Sequence, residues 1–143
     1  MPMSSTDLTD ERGSAVIEFL ALGTLLLLPT VWFLLALAEV QAASYAAVGS
    51  ADQAAKMHTA GDASAGERAA RSEAAIGAAL ADFGIDRDHA QISQHCSMEC
   101  DAEGAVVTYT VDIRVPVPLV PEVGGLQHRL VTVSATSAQV QGG

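Results

Sequence analysis

FLALGTLLLLPTVWFLLALA, residues Phe19 to Ala38, holds no ionisable side chain across twenty consecutive positions. At about 1.5 Å of rise per helical residue the run reaches roughly 30 Å, the hydrocarbon thickness of a bilayer. It therefore reads as a membrane-spanning helix or an export signal. Gly23 and Pro29 interrupt it. Both are tolerated in membrane helices, and Pro29, lacking the N–H that would close its turn, is expected to kink this one.

Toward the C-terminus polarity rises with no helix-breaking signal. In EVQAASYAAVGSADQAAKMH (Glu39–His58), Val40, Ala43, Ala47, Ser50, Ala54 and Met57 recur at three- and four-residue spacings. This is a seam of mostly small side chains, of the kind that lets backbones approach closely. Spacing alone leaves open whether the seam packs on its own domain or on neighbouring helices. TAGDASAG (Thr59–Gly66) breaks the pattern. ERAARSEAAIGAALADF (Glu67–Phe83) resumes it, with Ala69, Ile76, Leu80 and Phe83 on one face and Gly84 as the expected stop.

The period then changes to two. In VVTYTVDIRVPVP (Val106–Pro118), Val107, Tyr109, Val111, Ile113, Val115 and Val117 face one way, while Thr108, Thr110, Asp112 and Arg114 face the other. Pro116 and Pro118 end this strand's ladder or confine it to an edge. PEVGG (Pro121–Gly125) turns the chain into a last strand over about 129–137, and a shorter strand near Ala90–Gln94 completes a small sheet. The expected fold class is α+β: a long kinked N-terminal helix, a second helix and an antiparallel sheet of about three strands. The expected division is a leader over 1–13, a transmembrane and extended helix over 14–58, and an extracytoplasmic α+β domain over 59–143.

Composition narrows the function. The chain has 143 residues and a formal charge of −10, with Lys and Arg scattered singly. A phosphate backbone would be repelled, so nucleic acid is excluded as a partner. No GxSxG, HExxH or phosphate-cradling glycine loop occurs, and no Ser, His and Asp spacing suggests a triad. An enzyme is not expected, nor a cofactor. His58, His89, His95 and His128 read as surface residues.

Outside the cytoplasm thiols oxidise, so the two cysteines of HCSMEC, Cys96 and Cys100, read as a local disulfide stabilising by roughly 2 kcal/mol through chain entropy. A zinc site with His89 and His95 is the competing reading and two free, inert thiols the third; a second ligand pair is missing, and no metal is expected. Asp86, Asp88, Glu99, Asp101 and Glu103 lack EF-hand spacing and read as a solvated acidic face.

Upstream of the apolar run, MPMSSTDLTDERG (Met1–Gly13) is polar and aperiodic and reads as a disordered cytoplasmic leader. ERGSAVIEFLALG (Glu11–Gly23) then places one carboxylate, Glu18, at the entrance of the run. Deep in a bilayer such a charge costs roughly 2.5–3.5 kcal/mol on insertion scales. At headgroup level, near a helix N-terminus, it is tolerated by the dipole alone. A cut after Gly13 would instead create an α-amino group on Ser14, one turn before Glu18, and the two charges could pair within a subunit or between neighbours.

At these residues the sequence resembles the type IV prepilins, whose processing motif is a glycine, a cut, four apolar or small residues and a glutamate opening the hydrophobic helix. Gly13, Ser14 and Glu18 take those places in GSAVIE. Within that group it is most similar to the TadE-like pseudopilins of Tad (Flp) pilus systems, including short actinobacterial members, best over Arg12–Ala55. Phe19 stands where the Flp-type motif often has tyrosine. VPVPLVPEVGG (Val115–Gly125) followed by a strand is a further, less specific likeness.

The resemblance implies a minor pilin or assembly factor rather than an enzyme. It also implies processing by a prepilin peptidase, a single pass through the cytoplasmic membrane with the C-terminal domain outside, and partners among other Tad pilins, pseudopilins and the pilus assembly platform. The cut would remove Asp7, Asp10, Glu11 and Arg12 and leave the chain acidic.

Two alternatives stand beside it. ALA (Ala36–Ala38) before Glu39 is an A-x-A site for the general signal peptidase, which would release a secreted domain. The apolar run is longer than a typical signal h-region, however, and the n-region is acidic. An uncleaved anchor for an unrelated extracytoplasmic binding domain is the other. With Arg12 and Lys56 as the flanking cations, charge does not fix orientation.

Overall fold

In the computed structural model, which describes residues 10–116 and 130–142, the apolar run lies within one helix, α1 (Asp10–Thr59). A second helix, α2 (Ala65–Asp82), and three strands follow: β1 (Ala90–Cys96), β2 (Val106–Pro116) and β3 (Leu130–Val140). The chain divides between Leu37 and Ala38 into two units. Val117, Pro118 and the expected turn at Pro121–Gly125 lie outside the described residues.

In the first unit α1 passes through Pro29 as helix. The hydroxyl of Thr30 donates to the Leu26 carbonyl at 2.8 Å. The side chains along this part of α1 are largely exposed, including Phe19, Leu20, Leu25, Leu28 and Phe33. By length and composition this helix is able to cross a membrane.

The second unit is the α+β body. α2 begins where the sequence supplies a cap: Glu67 N–H donates to Ser64 Oγ, and Ser64 N–H donates to the Glu67 carboxylate at 2.9 Å. Donation from the Ser64 N–H, joined by the Ser64 hydroxyl at 2.9 Å, holds the Glu67 carboxyl below its ordinary range. α2 ends in a Schellman arrangement. Gly84 takes φ +66, its N–H donates to the Ala81 carbonyl, and Ile85 N–H donates to the Leu80 carbonyl at 3.0 Å. Ile85 then folds back on the core beside Leu80.

The sheet order is β1-β2-β3, antiparallel throughout, with Ala90 opposite Ile113 and Pro116 opposite Leu130. Val107, Tyr109, Val111, Ile113 and Val115 are buried, as the two-residue period predicts. They share one core with Ala43, Ala46, Ala47, Ala51, Ala54 and Ala55 of α1 and with Ile76 and Leu80 of α2. The small-residue seam thus packs on its own domain, settling the alternative left open above.

Three boundaries and faces differ from expectation. α1 starts at Asp10, so residues 10–13 of the expected disordered leader are helical. The buried face of α2 runs Arg68, Ser72, Ile76 and Leu80, with Ala69 exposed and Phe83 44 % exposed. Strict four-residue steps rotate the face away from those two residues. β1 and β3 also run further than expected, to Cys96 and Val140.

The backbone pairing fixes which groups of the edge strand β3 turn away from the sheet. Ser97 N–H donates to the Val106 carbonyl, and Gln141 N–H donates to the Ala105 carbonyl. Even-numbered residues of β2 therefore turn their backbone groups to β1 and odd-numbered ones to β3. Across the register, the even-numbered residues of β3, Thr132 to Val140, point N–H and C=O away from the sheet.

Candidate functional site

The residues of the processing motif lie at the start of α1. The Gly13–Ser14 bond lies close to the N-terminal end of that helix. Ser14 and Glu18 are exposed, and Phe19 is 75 % exposed. Helical geometry puts Glu18 one turn beyond Ser14 on the same face.

The cysteines form a second local feature. Cys96, the last residue of β1, is bonded to Cys100, with Cα atoms 5.3 Å apart. The Gln94 amide reaches the Cys100 sulfur at 3.4 Å. Beyond the bridge, Ser97 and Val106 close the loop reciprocally, Ser97 N–H donating to the Val106 carbonyl and Val106 N–H to Ser97 Oγ. Gly104 at φ +82 completes the turn and donates its N–H to the Gln141 carbonyl. Both thiols are consumed by the bridge, so they do not serve as ligands with His89 and His95. Among the described residues no group of three or more His, Cys, Asp or Glu converges.

The third feature was not anticipated. His58, expected at the surface, is 3 % exposed. Its Nδ1 shares a hydrogen bond with the Tyr109 hydroxyl at 3.1 Å. Ser72 Oγ donates to the Ala54 carbonyl at 3.0 Å, tying α2 to α1. Arg68, 7 % exposed, donates from Nε to the Ala63 carbonyl and from Nη2 to the Gly61 carbonyl, which clamps the α1–α2 connection.

Burial pushes the His58 pKa down, opposed by Asp101 and reinforced by Arg68. Burial likewise raises that of Tyr109, with Ser72 opposing and Glu73 adding to the rise. The signal for His58 was present: extending the seam four residues past Ala54 reaches His58, whereas a three-residue step reaches Met57, which is 38 % exposed.

These groups are paired to hold elements together. The histidine, hydroxyls and guanidinium close the end of the domain core with hydrogen bonds, while the disulfide closes the β1–β2 hairpin. No protein-family model, curated protein or solved structure matches the chain.

Proposed function

We propose that the chain is a TadE-like minor pseudopilin or assembly factor of a Tad/Flp-type pilus, working by assembly rather than catalysis. In this reading a prepilin peptidase cuts after Gly13, and α1 anchors the product in the cytoplasmic membrane with the α+β unit outside. Partner pilins and the assembly platform engage the anchored protein.

The observation that carries the reading is the pairing of GSAVIE with an apolar helical segment whose large side chains from Val16 to Leu37, Trp32 apart, are exposed. Such a surface calls for lipid or neighbouring helices. Glu18 is the single ionisable residue between Ser14 and Ala38. Once Ser14 carries a free ammonium, the two opposite charges neutralise one another in a medium where either alone is expensive.

The test is the N-terminus and intact mass of the protein from membranes of its native host, with and without the prepilin peptidase. A peptidase-dependent start at Ser14 is expected, and Glu18→Ala is expected to stay membrane-bound while abolishing piliation. A start at Glu39 would make this a secreted domain. Intact pili in the Glu18→Ala strain would remove the assigned role of Glu18.

A further inference from the structure

At the end of the α+β unit where the chain enters at Ala38 lies a cavity of about 190 Å³. Buried Ala43 and Val115 are among its apolar lining residues, and exposed Glu39, Asp86, His89 and Arg114 supply its polar ones.

Three of these polar groups are held by the backbone around them. The single 3₁₀ turn Arg87–His89 sets Asp86 and His89 on either side of Arg87. Arg87 is committed elsewhere, donating to Glu73 at 2.8 Å and to the Ala90 carbonyl at 2.7 Å. Arg114 donates one Nη2 bond to the Asp88 carbonyl at 3.3 Å, which orients its guanidinium while leaving further donors free.

Position and charge together define the ligand. Glu39 directly follows the uncharged run that ends at Ala38. With that run spanning the hydrocarbon layer, Glu39 stands among lipid headgroups, and Ala43 is roughly 6 Å further along the helix. The cavity therefore opens where headgroups are the most concentrated solute. Two carboxylates attract a cation, while a guanidinium and an imidazole N–H attract an anion. A molecule bearing both charges side by side satisfies all four groups. An anionic headgroup would meet two carboxylates on a chain of charge −10.

We infer that this cavity binds the headgroup of a zwitterionic aminophospholipid, with its ammonium toward Glu39 and Asp86 and its phosphate toward Arg114 and His89. The inference rests on α1 being a membrane anchor, but not on pilus assembly. Lipid held there fixes the domain against the bilayer surface.

The test uses the full chain reconstituted into nanodiscs of equimolar phosphatidylethanolamine and phosphatidylglycerol. The protein is then released into mild detergent, and retained lipid is weighed by native mass spectrometry. Retention of phosphatidylethanolamine over phosphatidylglycerol is expected. The Glu39→Gln/Asp86→Asn double variant is expected to lower that ratio about tenfold, the scale of one or two lost charge-assisted hydrogen bonds. Arg114→Gln should reduce retention of both lipids.

Flotation of the same proteins with membranes separates the two ways of failing. A chain that floats yet retains no lipid, retains both lipids alike, or keeps its selectivity in the double variant overturns the cavity assignment alone. A chain that does not float overturns the anchor, and the inference with it.

Discussion

His58 shows how a single side chain ties the domain's elements to a protonation state. Held in the core by the Tyr109 hydroxyl at 3.1 Å, it has a pKa lowered first by burial, then by the Arg68 guanidinium, against the pull of Asp101. The folded state thus binds a proton less readily than the unfolded chain. The stability this group contributes is fully present above the ordinary histidine pKa of about 6.5 and is lost as pH falls through the lower folded value. Urea unfolding of the detergent-solubilised chain should show this loss below about pH 6.5, well above the carboxylate range. His58→Asn, which keeps an amide near the Nδ1 position, should flatten that part of the profile. An unchanged slope in the variant would assign the pH dependence to other groups.

Individual elements were legible to different depths. The alternation from Val107 to Val115 and the small-residue seam read directly, because each reflects one period imposed by one buried face. The cap at Ser64 and the stop at Gly84 have equally local causes. The rotation of α2 was not legible. Ala69 and Phe83 are as apolar as a core position requires, while the positions that are buried include Arg68 and Ser72, polar groups whose partners are carbonyls supplied from elsewhere in the chain. Burial of His58 is marked by the seam's four-residue step from Ala54, but its partner Tyr109, 51 residues away, was not legible.

The seam also yields a prediction at the scale of an element. Ala43, Ala46, Ala47, Ala51, Ala54 and Ala55 are each at most 2 % exposed, which leaves no room for larger side chains between α1 and its neighbours. Ala47→Leu should destabilise the domain by about 1–3 kcal/mol through overpacking. It should raise amide hydrogen exchange in α2 with little change in the part of α1 before Ala38. Wild-type protection in α2 would show that the contact adapts without strain.

At the scale of the molecule, the chain combines a helix able to cross a membrane with a small folded body that buries its own core. The apolar run ends at Ala38, one residue past the division between the two units, whereas the expected domain division falls at 58/59. What the second unit does was much less readable, because its polar core and its cavity at Glu39 are assembled from distant segments. The GSAVIE stretch on which the proposed function rests lies in the other unit.

The outward backbone groups of β3 suit the addition of a second strand. From Leu130 to Gly143 the sequence holds no charged side chain and no proline, the residues that commonly discourage a second strand at an edge. Two copies could join there antiparallel, Thr136 meeting Thr136, only if one copy were turned end over end relative to the other. Ala43 shares the cavity with Val115, and His58 meets Tyr109, so this part of α1 runs antiparallel to β2 and parallel to β3. In an antiparallel pair of β3 strands these stretches of α1 also run in opposite directions, so the two copies are related by a two-fold axis. Sedimentation should find the full chain self-associating in detergent, and Thr136→Lys should return it to the monomer.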